Sequence, residues 1–151
     1  MIESTLIYLK RDNKYLMLHR TKKENDINEG KWLGIGGKLE LNETPDECIK
    51  REVKEETGLN LISYKNRGYI MFYNTKCETE KIHLYESSDF SGDIIECNEG
   101  DLSWVPIDKV MDLNLWEGDR IFLKEMINTT NEIKMEFHYD GDKLIDYKEI
   151  E

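Results

Sequence analysis

The sequence predicts an α+β fold, a mixed β-sheet with a few helices laid over it. Alternating or apolar runs near both ends of the chain read as strands. Pro45–Thr57 and Asp119–Asn128 carry helix signals, and Asp140-Gly141 sits between two strand-like runs as a hairpin turn. With 151 residues, no internal repeat and no low-complexity tract, residues 1–151 are expected to form a single domain around one substantial core.

Along the chain, Ser4–Lys10 and Tyr15–Arg20 are the first two predicted strands, joined by the turn residues Asp12 and Asn13. The polar stretch Thr21–Lys31 reads as a loop. Leu61–Tyr73 and Lys81–Glu86, rich in Ile, Tyr, Phe and Met, form the next strands. A turn at Ser91–Gly92 separates these from a short strand, Trp104–Ile107. The helix Asp119–Asn128 carries Ile121, Phe122, Met126 and Ile127, and Ile133–Tyr139 with Lys143–Tyr147 closes the chain as a hairpin.

The helix at Pro45–Thr57 contains its own start and stop. Thr44 is a suitable N-cap, Glu47 completes a capping box, and Pro45 occupies the first helical position, where its missing N–H is harmless. Gly58 suits the left-handed residue that ends a helix. Cys48, Ile49 and Val53 face the core in this register. Glu52, Glu55 and Glu56 then converge at helical spacing, where like charges repel by about 0.2–0.5 kcal/mol per pair. They also lie in the C-terminal half, where the helix dipole disfavours anions. Lys50, Arg51 and Lys54 offset part of this, and a hard divalent cation offsets it better. Mg²⁺ prefers oxygen ligands and binds one or two carboxylates together with substrate phosphates. Three glutamates alone are as well explained by a solvated acidic face; the surrounding register decides between the two.

That register runs from Gly37 through Glu43, Arg51, Glu52, Val53, Glu55, Glu56 and Gly58 to Leu59. Seven specified residues and two apolar positions coincide by chance on the order of once in 10⁹ starting positions. The pattern resembles the Nudix box, G-x5-E-x7-R-E-U-x-E-E-x-G-U, at every defined position. The resemblance implies an α/β/α sandwich and a metal-dependent hydrolase that cleaves a diphosphate linked to another group. It implies Mg²⁺, with Mn²⁺ as an alternative. Glu55 and Glu56 would be metal ligands and Glu52 a ligand or base, while the backbone carbonyl of Gly36 would also reach the metal. Arg51 would orient the carboxylates, with Glu43 in support. Gly34, Gly36 and Gly37 let the backbone approach a ligand closely, and Lys38 is placed to face a phosphate. A P-loop is excluded, because Leu39 stands where that motif needs Ser or Thr and its first glycine is missing.

The likeness extends past the box. Trp32-Leu33-Gly34-Ile35-Gly36-Gly37-Lys38 is similar to the W-x-G-x-G-G-K entry of the MutT-like oxidised-purine nucleoside triphosphatases, the 8-oxo-dGTP diphosphatase branch. Leu115-Trp116-Glu117-Gly118-Asp119 resembles their M-W-x-D-D segment, and the tail from Phe137 to Tyr147 their closing hairpin. By this resemblance the purine lies between the first strand, Phe72 and Trp116, and Asp119 is the second acid of the pair that reads its edge. Arg20 lies near the phosphates, and Glu99 is the loop acid that assists metal binding or acts as an alternative base. The chain departs from the pattern at two positions: Leu33 replaces a base-reading asparagine, and Gly118 replaces the first acid of the pair. ADP-ribose or a nucleotide sugar as substrate, and a non-catalytic nucleotide sensor, are the alternative readings.

A net charge of −11 argues against nucleic acid polymers and anionic membranes as partners, while a small nucleotide with its metal remains compatible. No apolar run spans a membrane and no signal peptide is evident, so a cytoplasmic protein is expected, as monomer or homodimer. Cys48, Cys77 and Cys97 lack metal-site or disulfide spacing and are expected as free thiols. His19, His83 and His138 are scattered and receive no catalytic role.

Overall fold

A computed structural model describes residues 1–22 and 26–150; residues 23–25, inside the predicted polar loop, and residue 151 lie outside the described set. The elements are β1 (Ile2–Arg11), β2 (Lys14–Arg20), β3 (Trp32–Leu33), α1 (Pro45–Thr57), β4 (Asn60–Asn74), β5 (Cys77–Ser91), β6 (Gly100–Pro106), α2 (Glu117–Asn128), β7 (Ile133–Asp140) and β8 (Lys143–Glu149). A 3₁₀ turn, Ile107–Asp112, links β6 to α2.

The sheet runs β3-β2-β1-β5-β4-β7-β8, with β6 also paired to β2. It is mixed: β1 lies parallel to β5 and β4 parallel to β7, while the remaining pairings are antiparallel. Alternation along β1 separates two cores. Tyr8 joins Met17, Phe122, Leu123 and Phe137 on the α2 side. Ile7 and Leu9 join Leu16, Ile49 and Val53 on the α1 side. These opposite faces, each covered by one helix, make the expected sandwich.

Turn chemistry accounts for the hairpins. Asp12 and Asn13 both adopt positive φ, 52° and 59°, as the two-residue turn between twisted strands requires. In the last hairpin Asp140 already pairs with Lys143, so the loop is Gly141-Asp142, one residue later than predicted. Trp32–Leu33 was not predicted as a strand; two residues are too few to show a period, and they are held by pairing with His19 and Leu18.

One irregularity ties the sheet to α2. The β4–β5 register slips between Asn66 and Gly68, and Gly68 takes φ 120° beside the Ile133 backbone. The bulge sends Arg67 into the interior, where it is 2% exposed. Its guanidinium donates to the carbonyls of Met126 (3.2 Å), Thr129 (3.0 Å) and Asn131 (3.0 Å), and pairs with Glu86 at 3.1 Å. A buried cation thus satisfies carbonyls at and beyond the C-terminus of α2, an end that orphans them.

Candidate active site

The site forms where β1 and β2 part. They pair only at Lys10–Tyr15 and Arg11–Lys14. Beyond this the glycine-rich segment takes the place beside β1: Ile7 and Ile35 exchange backbone hydrogen bonds of 2.7 and 3.0 Å, and the Thr5 N–H donates to the Gly37 carbonyl at 2.9 Å. A Cβ at Gly36 would stand 1.9 Å from the Thr5 carbonyl oxygen, so only glycine permits this approach. At Gly37 a Cβ would meet the Glu52 carboxyl at 2.6 Å. The glycines therefore bring a strand edge and the glutamates of α1 into one place.

α1 has the predicted capping box and ends at Gly58 with φ 81°. Arg51 organises its acidic face. It grips Glu43 with two hydrogen bonds of 2.7 and 2.8 Å, reaches Glu52 at 2.6 Å and Glu55 at 3.1 Å, and donates to the Lys38 carbonyl at 3.1 Å. The bidentate contact holds the Glu43 carboxyl down to about 2. Glu56 is buried and accepts the Gly36 N–H at 2.9 Å. Burial, a hydrogen bond shared with Glu99, and the charges of Glu99 and Glu52 push its carboxyl far above the usual range. Burial also raises Glu52. Glu99 stands opposite because Gly100, at the start of β6, pairs with Arg20 of β2. Arg20 makes ion pairs with Asp26 at 2.7 Å and with Glu99 at 3.5 Å.

Among the described residues no three acids are already gathered in a metal-holding arrangement. Arg51 occupies Glu52 and Glu55 instead, and Glu56 leans on the Gly36 amide. The donor set nevertheless fits a hard divalent cation. Burial is the main cause that raises Glu52 and Glu56, and the neighbouring charge of Glu99 adds to it at both; a bound cation would offset both effects by favouring the ionised carboxylates.

A cleft of about 480 Å³ runs from this cluster past β1 to α2. Arg20, Leu33, Gly36, Lys38, Arg51, Glu52, Glu56, Phe72, Glu99, Trp116 and Asp119 all line it; Glu43 and Glu55 do not. Glu43 instead braces Arg51 from outside, and Glu55 is exposed at the rim. Phe72 and Trp116 meet edge to face, 5.5 Å between centroids at 81°, rather than as parallel plates. The Trp116 indole N–H donates to Asn28 Oδ1 at 2.7 Å, which fixes the ring. Asn28, Asp26 and Tyr139 were not anticipated. The first two lie in a loop without periodicity, and Tyr139 read only as a strand residue.

Asp119 lies in the first turn of α2. It does not cap the helix: the N-cap is Trp116, which makes no side-chain cap hydrogen bond. Burial pushes the Asp119 carboxyl up to about 7, against the downward pull of Lys31 and Arg120. A carboxyl whose pKa is raised on folding contributes full stability below its unfolded value near 3.9, and that contribution is lost as pH rises through about 7. Asp119→Asn is therefore expected to match the parent near pH 4 and to exceed it by about 2 kcal/mol at pH 8, part of the full linkage because the residue is only half-buried and lines the cleft. Urea unfolding across this range measures it; parallel stability–pH curves for the two proteins would exclude the effect.

Residues 3–126 match the NUDIX domain family. The chain belongs to the Nudix hydrolases. Its relatives include the oxidized purine nucleoside triphosphate hydrolase of Danio rerio, 27% identical over 128 residues and covering 83% of this chain and 81% of that one. The mouse protein of the same name is 30% identical over 98 residues, covering 64% and 63%. Among solved structures, a MutT protein from Bacillus halodurans superposes with a TM-score of 0.86 at 23% identity, over 98% of this chain and 97% of that one. This Nudix hydrolase thus has a MutT-like fold over nearly its whole length. Its three cysteines are free, with Cys48 and Cys97 buried, and none of its described helices is long and apolar enough to cross a membrane.

Proposed function

We propose that this Nudix hydrolase converts a nucleoside triphosphate, 8-oxo-dGTP or a related oxidised purine nucleotide, to the monophosphate and pyrophosphate. One observation carries the reading. A single cleft joins an arginine-organised glutamate cluster to a wall of Phe72, Trp116 and Asp119. The first suits a metal-bound polyphosphate and the second a flat base with N–H donors. The names of the Danio rerio and mouse relatives support the same substrate class.

Glu52, Glu55, Glu56 and the Gly36 carbonyl are the groups assigned to hold Mg²⁺, or Mn²⁺ in its place. When bound, the ion supplies charge neutralisation and an activated water for in-line attack. Arg51 holds Glu52 and Glu55 in position, and Glu43 holds Arg51. Glu99 and Glu52 are the candidate bases, acting as a coupled group with Glu56. Arg20 and Lys38 face the phosphates from the cleft wall. With a net charge of −11, the substrate is a free nucleotide rather than a polymer, and the role is sanitisation of a cytoplasmic nucleotide pool by a single-domain enzyme.

The test is a Mg²⁺-dependent panel of 8-oxo-dGTP, dGTP, other triphosphates, ADP-ribose and nucleotide sugars, with product identification. Monophosphate and pyrophosphate from 8-oxo-dGTP, at far higher kcat/KM than from dGTP, is the expected result. Selective cleavage of ADP-ribose or a nucleotide sugar overturns the substrate, and no turnover of any member makes the protein a sensor.

A further inference from the structure

Gly118 is buried between the cleft-lining residues Trp116 and Asp119, and the space its missing side chain leaves is filled by another residue. A Cβ at this position would lie 2.6 Å from Tyr139 Oη and 2.8 Å from the Phe137 ring. The Tyr139 hydroxyl occupies that space and accepts the Gly118 N–H at 2.7 Å. Its ring is clamped by Phe72, 5.1 Å away, and by Trp116, 5.0 Å away and edge on. Tyr139 is 3% exposed and lines the cleft, yet its hydroxyl donates no hydrogen bond to any described residue. A phenol that accepts once still has one proton to give. Beside it Asp119 also lines the cleft, with no hydrogen bond from its carboxyl to the described residues, and its charge is felt at Tyr139. These two polar groups stand among apolar neighbours, Leu33, Ile70 and Phe72. An apolar wall with few convergent polar groups is how a pocket fixes the orientation of a ligand.

We propose that the Tyr139 hydroxyl is a specificity-determining donor that binds the 6-carbonyl oxygen of an oxo-purine while Asp119 accepts its adjoining ring N–H. The order of groups supports this assignment. Along the six-membered ring of guanine an acceptor is followed by a ring N–H and then an amine. One phenol donor beside one carboxylate, which accepts from more than one N–H, meets that sequence in turn. The proposal rests on the nucleotide reading above, and it gives β7, which carries Tyr139, a recognition role beside that of α2, which carries Asp119.

The test is calorimetric binding of 8-oxo-dGMP, and of its analogue lacking the 6-carbonyl oxygen, to the parent and to Tyr139→Phe. Neither ligand requires catalysis. The parent is expected to bind the analogue more than about tenfold more weakly than 8-oxo-dGMP, since without the carbonyl the adjoining ring nitrogen also lacks the proton Asp119 accepts, and Tyr139→Phe to lose about tenfold on 8-oxo-dGMP and nothing on the analogue. An equal loss on both ligands would assign Tyr139 a structural role only and overturn the proposal, as would no loss on either. If Tyr139→Phe does not fold, equal affinity of the parent for the two ligands overturns it alone. Should the parent bind neither ligand, the nucleotide reading and the proposal fall together; turnover of 8-oxo-dGTP with an unaltered Tyr139→Phe removes only the proposal.

Discussion

Glu56→Gln is expected to fold as the parent does and to lose more than about tenfold in kcat, at least ~1.4 kcal/mol of transition-state stabilisation. Glutamine has nearly the same shape, and its side-chain oxygen can still accept the Gly36 N–H that Glu56 accepts at 2.9 Å. It relieves the crowding with Glu52 and Glu99, so thermal stability should not fall. What it removes is a carboxyl that can ionise to hold a cation, at the point where the glycine segment, α1 and the Glu99 loop meet. Steady-state rates at saturating Mg²⁺, beside a thermal melt, separate the two effects. Unchanged turnover would remove Glu56 from the catalytic set.

Arg67→Ala is expected to destabilise the fold by about 3–5 kcal/mol, although Arg67 is not among the residues lining the active-site cleft. Its removal leaves three carbonyls without this buried donor, and Glu86 without its cation. Lysine should not rescue the change, because one ammonium cannot reproduce the planar fork that spans Met126, Thr129 and Asn131. Urea titrations should show a lower midpoint with the denaturant slope preserved. A loss below about 1 kcal/mol would show that water can replace the guanidinium. Since α2 carries Asp119 and follows Trp116, a loosened C-terminus should also raise KM before the fold is lost.

The contrast between α1 and Arg67 shows what the sequence discloses. Thr44, Pro45, Glu47 and Gly58 specify α1 through contacts within one turn, so its ends were legible to the residue. The order of Glu52, Glu55 and Glu56 along α1 followed from helical spacing, but the exposed position of Glu55 outside the cleft and the Arg51 bridge from Glu52 to Glu55 did not, because they depend on rotamers. Arg67 looked like one more charge in a strand; its burial depends on a bulge and on a helix end far along the chain. Sheet order was hidden for the same reason. Nothing near β1 announces that it will lie parallel to β5. Asn28 and Tyr139 became visible only when Trp116 and Gly118 had been placed beside them. Phe72 and Trp116 were read as flanking a base; that their rings also meet each other, edge to face, was not legible, since residue type says nothing of ring angle.

The parallel pairing of β1 with β5, Ile2 opposite Glu80, has a consequence for how the molecule is made. β1 is made well before β5, so it lacks this parallel partner until the middle of the chain has followed it. β4 likewise waits for β7, with Gly68 opposite Ile133. Such long-range closures are slow, because chain entropy is lost before contacts repay it. The glutamate helix can form early by local contacts, whereas the wall bearing Phe72, Trp116 and Tyr139 is complete only when β7 docks. On the proposed function, recovery of base-selective binding on refolding should therefore lag behind recovery of helical signal, making ligand selectivity a sensitive reporter of the last step of assembly.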